Sequence, residues 1–203
     1  MNNFSSPEYW ENRYNKSGNS GAGSYGRLAN FKADVINSFI AEKKIKSVIE
    51  FGCGDGNQLS LFNIPFYIGH DVSYSVIEKL QEYYSDDDTK MFYHSSFFSD
   101  TWRADLTISL DVIYHLIEDD VYYDYMRRLF DASKKYVIIY SCNRNDIVPD
   151  EHIRFRVFLK WVLQRRPNEW KLTQIIENKY PYDKSDPNNT SWCDFYIFER
   201  CNK

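Results

Sequence analysis

The chain is poor in the residues that staple or punctuate small folds. Its 203 residues include 4 cysteines, 6 prolines and 8 glycines. Cys53, Cys142, Cys193 and Cys201 are too few and too scattered for a disulfide framework, and no Cys-x-x-Cys or His/Cys cluster has zinc-ligand spacing. No metal site is therefore expected. No apolar run approaches the ~18 residues that a membrane helix needs. The opening MNNFSSPEYW lacks the charged and apolar regions of an export signal. These absences predict a cytoplasmic protein with no membrane partner. A basic excess is missing as well. Lys and Arg number 25 against 29 for Asp and Glu, a net charge of −4, so the overall balance does not point to nucleic acid.

What is present suits one globular domain: 43% hydrophobic residues, 27% charged and 18% aromatic. Turn-rich stretches lie at 16–26 (KSGNSGAGSYG) and 183–190 (DKSDPNNT). Between them, Leu28, Phe31, Val35, Phe39 and Ile40 recur at helical spacing and predict a helix over 28–43. Short β-branched or aromatic runs follow at 47–51, 66–69, 91–94, 106–110 and 136–140, with helical stretches at 74–84 and 119–133. Strands alternating with helices imply right-handed crossovers and a parallel sheet covered on both faces, an α/β fold. A helix over 152–165 is expected to stop before Pro167. Strands at 171–177 and 192–199 are expected to pair antiparallel at one side of the sheet.

The most informative stretch is Val48-Ile49-Glu50-Phe51-Gly52-Cys53-Gly54-Asp55-Gly56-Asn57. A strand running into Gly-x-Gly-x-Gly lets backbone approach a ligand without Cβ interference, at the sheet edge where doubly wound folds bind ligands. A second strand ends in Gly69-His70-Asp71, which puts an acid where it can accept hydrogen bonds from two ribose hydroxyls. The nicotinamide fingerprint G-x-G-x-x-G fails here: Asn57 occupies its third glycine position, and Glu50 would repel a pyrophosphate. A carboxylate at Glu50 instead suits a cofactor carrying an ammonium and a sulfonium.

In these residues the chain resembles the class I S-adenosylmethionine-dependent methyltransferases, whose first motif reads acid-x-Gly-x-Gly-x-Gly. Residues 67–73 (YIGHDVS) look like the second motif, 104–116 (ADLTISLDVIYHL) like the fourth strand and its turn, and 135–141 like the fifth strand. The resemblance covers about 45–141. It implies a Rossmann-like, doubly wound, seven-stranded and mostly parallel sheet that ends in the antiparallel pair. It also implies S-adenosyl-L-methionine held by Glu50, Gly52, Cys53 and Gly54 from the loop and by Asp71 and Val72 from the second strand. Leu110 and Asp111 would join them after the fourth strand, and Tyr14 from the amino-terminal arm. Many relatives read the adenine amine with an Asp after the third strand. Here Ser96 and the Phe97 backbone are the candidates.

Methyl transfer from a sulfonium needs mainly in-line alignment, and a base only where the acceptor has a proton to lose. His115, a few residues beyond the fourth strand, is the candidate base, with helix capping or packing as its alternative. Arg144, His152, Arg154 and Arg156 are candidate acceptor-binding residues, because arginine forks suit phosphate or carboxylate. On the helix expected there, His152 and Arg156 would share a face. Tyr25 and Arg27 join them from residues 1–27, read as a lid before a single domain over 28–203. The tail from Asn143 onward resembles a bacterial subgroup that accompanies surface-glycan assembly. The resulting expectation is a methyltransferase acting on a small anionic acceptor, with no nucleic-acid partner. A nicotinamide-dependent oxidoreductase and a non-catalytic cofactor-binding module are the alternatives.

Overall fold

A computed structural model describes residues 4–146 and 150–201. Seven strands form one sheet in the order β3-β2-β1-β4-β5-β7-β6: β1 (Val48–Phe51), β2 (Tyr67–Asp71), β3 (Lys90–His94), β4 (Ala104–Leu110), β5 (Ser133–Ser141), β6 (Trp170–Ile176) and β7 (Asp194–Arg200). Neighbours from β3 through β5 are parallel, and β7 pairs antiparallel with both β5 and β6. The α/β fold and the closing antiparallel pair stand as the sequence implies. Every residue of β1 and β4 is buried, as befits central parallel strands covered on both faces, and that includes the polar Glu50, Asp105, Thr107 and Ser109.

Helices α1 (Ser6–Asn15), α2 (Gly26–Lys43), α3 (Tyr74–Tyr83), α4 (Asp119–Asp131) and α5 (Phe158–Arg165) complete the fold. The α2 stripe that faces the sheet is Leu28, Ala29, Ala33, Ile36, Phe39 and Ile40. Each large apolar side chain buried there contributes roughly 1.5–3 kcal/mol. One charged residue, Lys32, lies on the same stripe and is fully buried. None of the described helices is long and apolar enough to cross a membrane.

One element was not foreseen and one local expectation changes. The arm preceding α2 contains a helix, capped by the Ser5 hydroxyl accepting from the Glu8 amide at 3.3 Å. The helix expected over 152–165 starts only at Phe158. Upstream of it the backbone is committed elsewhere: the Arg154 amide donates to the Tyr114 carbonyl at 2.7 Å, and Arg156 bridges to Asn143. Asn143 Oδ1 then accepts from the Leu159 amide at 3.1 Å, in the first turn of α5. His152 and Arg156 therefore do not share a helical face.

Candidate functional site

A cavity of ≈ 240 Å³ opens at the carboxyl edge of β1, β2 and β4, roofed by α1 and the 3₁₀ turn Ala22–Ser24. Its floor is the loop after β1. Gly52 and Gly54 adopt φ of +81° and +56°, where side chains are strained. A Cβ at Gly52 would overlap Val112, and one at Gly54 would overlap the Ser20 hydroxyl. The bare backbone thus lets the β4 turn and the amino-terminal arm both close onto this loop.

Glu50 and Asp71 flank the loop and are almost wholly buried. Burial pushes the Glu50 carboxyl up to about 7. The Tyr67 hydroxyl, donating to Oε2 at 2.6 Å, and nearby Lys32 pull it back. Asp71 is pushed up to about 6, also by burial, against hydrogen bonds that favour its charge. Among them, its Oδ2 accepts from the Gly54 amide at 2.9 Å and its Oδ1 from the Ser73 amide at 3.0 Å. Asp111 follows β4 in the left-handed region, φ +61°. It accepts from Lys32 Nζ at 2.6 Å and from the Tyr114 hydroxyl at 3.1 Å. The charged lining is Glu50, Asp71, Asp111 and Asp124 against Lys32 and Arg128, an acid excess that favours a cationic guest.

His115 lines the cavity under the edge of Trp10, with ring centroids 4.9 Å apart. Its Nδ1 donates to the His152 carbonyl at 2.9 Å, which leaves Nε2 as the acceptor nitrogen. Burial holds its pKa down at about 4, so the ring is neutral near pH 7. The arm above is latched to the loop: the Ser20 amide donates to Asp55 Oδ2 at 2.8 Å, and the Asp55 amide donates to Ser20 Oγ at 2.9 Å. The Tyr14 hydroxyl lies 3.0 Å from Ser20 Oγ. At the far end, Ser6 Oγ donates to Glu118 at 2.5 Å.

Of the residues singled out in the sequence, Tyr14, Glu50, Gly52, Cys53, Gly54, Asp71, Val72, Leu110, Asp111 and His115 all line this cavity. Ser96 and Phe97 do not. The Ser96 hydroxyl lies 2.7 Å from His94 Nδ1 and Phe97 is 65% exposed, while Ser95 and Phe98 face the cavity in their place. Tyr25 spends its hydroxyl on Asp55 at 2.8 Å. Arg27 clamps the 183–190 turn through the Asn189 carbonyl and Asp186. Arg144 pairs with Asp146 and lies over Phe155 and Trp192. His152 pairs with Asp150 and stacks between Tyr9 and His115. Arg154 and Arg156 share Asp119. These last six lie outside the cavity lining. Sequence reasoning passed over Lys32, whose signal is a charge on an apolar helical stripe.

No family model matches the chain, and no curated protein matches it. Solved structures do. The N-methyltransferase NodS from Bradyrhizobium japonicum WM9, in complex with S-adenosyl-L-homocysteine, superposes with a TM-score of 0.73 at 10% identity, covering 97% of this chain and 99% of that one. Magnesium protoporphyrin IX methyltransferase from Synechocystis PCC 6803, with bound S-adenosylmethionine, gives 0.67 at 13% identity over 99% and 100%. The methyltransferase domain of bacterial CtHen1-C gives 0.63 at 20% identity over 83% and 96%. The strand order, the antiparallel seventh strand and these superpositions agree: the chain has the Rossmann-like fold of the class I methyltransferases.

Proposed function

We propose that the protein is an S-adenosylmethionine-dependent methyltransferase of the bacterial cytoplasm, acting on a small acceptor that carries negative charge. One observation carries the cofactor assignment. Two buried carboxylates, Glu50 and Asp71, stand on either side of a glycine loop in a cavity with an acid excess. That set fits a ligand with a ribose at one end and an ammonium and a sulfonium at the other. It does not fit a diphosphate, which Glu50 would repel. Asp71 would accept from the ribose hydroxyls, Glu50 would face the cationic half, and the amides of the 52–54 turn would lie along the ligand. Phe98 and Val72 supply apolar walls beside Asp71 for a purine.

The cofactor, when bound, supplies an electrophilic methyl group on its sulfonium. The chain's own contribution is alignment, exclusion of water and handling of one proton. Trp10, Tyr14 and Ser20 close the roof. Asp111 is fixed by Lys32 and Tyr114 at the end of β4, where the methyl group and its acceptor would meet. His115, with Nδ1 committed to a carbonyl, offers Nε2 to an acceptor proton. The negative charge assigned to the acceptor rests on the arginine-rich segment beside the cavity, and the link to surface glycans rests on the resemblance of the tail.

Calorimetric titration with S-adenosylhomocysteine and, separately, with NAD tests the reading. Binding of the first and not the second is expected. Binding of NAD alone would overturn it in favour of a nicotinamide enzyme. S-adenosylhomocysteine binding without turnover of any phosphorylated or carboxylated acceptor would leave a cofactor-binding module.

A further inference from the structure

Beside the cavity, on the outer side of the segment after β4, lies a second concavity of ≈ 590 Å³ between α4 and α5. Its charged lining is entirely cationic: Arg154, Arg156, Lys160 and Arg165. The carboxylate that contacts this group is Asp119, shared by Arg156 Nη1 at 2.7 Å and Arg154 Nη1 at 3.0 Å. Lys160 and Arg165 are exposed and have no ion-pair partner among the described residues. One carboxylate against four cations leaves a local positive field on a chain whose net charge is −4. Trp161 and Arg165 stand four residues apart on α5, on one face, and Tyr123 opposite them is 50% exposed. A planar face beside arginine and lysine heads suits a phosphate attached to a ring.

The two concavities share a thin wall. Leu116 lines the cavity, while its carbonyl is held by Arg156 Nη2 at 2.9 Å from the groove side. On α4, Val121 faces the cavity and Tyr122, its neighbour, faces the groove under the Arg156 guanidinium at 4.2 Å. The cavity itself carries the acid excess, so an anion is repelled there and attracted one residue away.

We infer that this groove is an anion-binding subsite that holds the phosphate of a soluble phosphorylated acceptor while its nucleophile reaches over the 116–119 wall toward His115. The anion subsite stands on the groove alone. Its use by an acceptor rests on the methyltransferase reading.

The test uses the full chain, with tripolyphosphate as the probe in calorimetric titrations at two salt concentrations. Lys160→Ala/Arg165→Ala removes two cations that the catalytic cavity does not use. Lys134→Ala/Lys171→Ala removes the same charge from exposed positions at the amino edge of the sheet. The groove pair is expected to weaken tripolyphosphate binding about fivefold to tenfold, as two solvent-facing charge contacts permit. The control pair should leave it within twofold, and S-adenosylhomocysteine affinity should be equal in all three proteins. Equal loss in both pairs, or loss in neither, would overturn the subsite. If S-adenosylhomocysteine fails to bind while the groove pair alone loses tripolyphosphate, the methyltransferase reading falls and the anion subsite stands.

Discussion

The ammonium of Lys32 lies 2.6 Å from Asp111 Oδ2, although its side chain is only 1% exposed and it rides on an otherwise apolar helical face. A charge taken that far from water persists only with a close partner. Lys32 is also near enough to Glu50 to draw its pKa down, and lies 5.2 Å from the centre of the Tyr140 ring. It is thus the counter-ion for the Glu50 and Asp111 side of the acidic cavity, contributed by α2 across the β1–β4 junction, while Arg128 answers Asp124.

Removing that counter-ion alone should be severe. Lys32→Met leaves Asp111 without its charged partner and is expected to cost about 3–5 kcal/mol in urea denaturation. Lys32→Met/Asp111→Asn should recover most of the loss, because Asn tolerates the left-handed backbone at this position. A double variant no more stable than the single one would show that the pair is not coupled.

Glu50 sets the pH dependence. A cationic ligand needs it ionised, so affinity for S-adenosylhomocysteine should fall about tenfold for each pH step of one below 7, and level off above. Below pH 6, protonation of Asp71 adds to the decline. Ligand-free stability runs the other way. Glu50 binds its proton more tightly folded than unfolded, so stability is lost as pH rises from its ordinary 4.5 to about 7. Glu50→Gln should therefore stabilise the free protein at pH 8 by at most about 3 kcal/mol while abolishing ligand binding. Calorimetry and thermal melts across pH 5–8.5 check both signs.

His115→Asn retains a donor for the His152 carbonyl and removes the accepting nitrogen. Turnover of a protonated acceptor should drop about 10²–10⁴-fold, with S-adenosylhomocysteine affinity unchanged. Because burial keeps the ring neutral down to about pH 4, the wild-type rate should show no histidine limb between pH 5 and 8. A limb near 6.5 that the variant loses would mean that the ring is far less buried during turnover.

Deleting residues 1–27 removes the roof, including Trp10, Tyr14 and Ser20, while β1 to β7 keep every partner. Turnover should vanish and ligand affinity fall, with far-ultraviolet dichroism of the sheet retained. Undiminished turnover would show that the arm is no lid.

Much of this was legible because the glycine loop and the two acids are local. Glu50, Gly52 and Gly54 lie within five residues, and Asp71 ends the adjoining strand, so spacing alone brings them together. The arm's helix was not foreseen, although Ser5-Ser6-Pro7-Glu8 is a capping sequence with proline in the first turn. The rest of what escaped depends on distant partners. Residues 152–157 have a helical composition, but Tyr114 and Asn143 recruit their backbone into extended pairing. Ser96 and Phe97 turn away because His94 captures the Ser96 hydroxyl, a contact that strand spacing does not encode. The arginines looked like one anion site. Two acids divide them: distant Asp119 takes Arg154 and Arg156, and neighbouring Asp146 takes Arg144.

Ser20 and Asp55 exchange reciprocal hydrogen bonds, joined by the hydroxyls of Tyr14 and Tyr25. Four such bonds are together worth roughly 2–6 kcal/mol net, and almost none of that is apolar burial. Of its four members only Tyr14, 4% exposed, belongs to the core, so the rest of the fastening would be undone and remade without melting what lies beneath it. Each departure would also strip Asp55 Oδ2 and the Asp55 amide of partners, leaving Oδ1 on the Asn57 amide at 3.1 Å, so the loop that would grip a spent cofactor would loosen on one side in the same event that uncovers it.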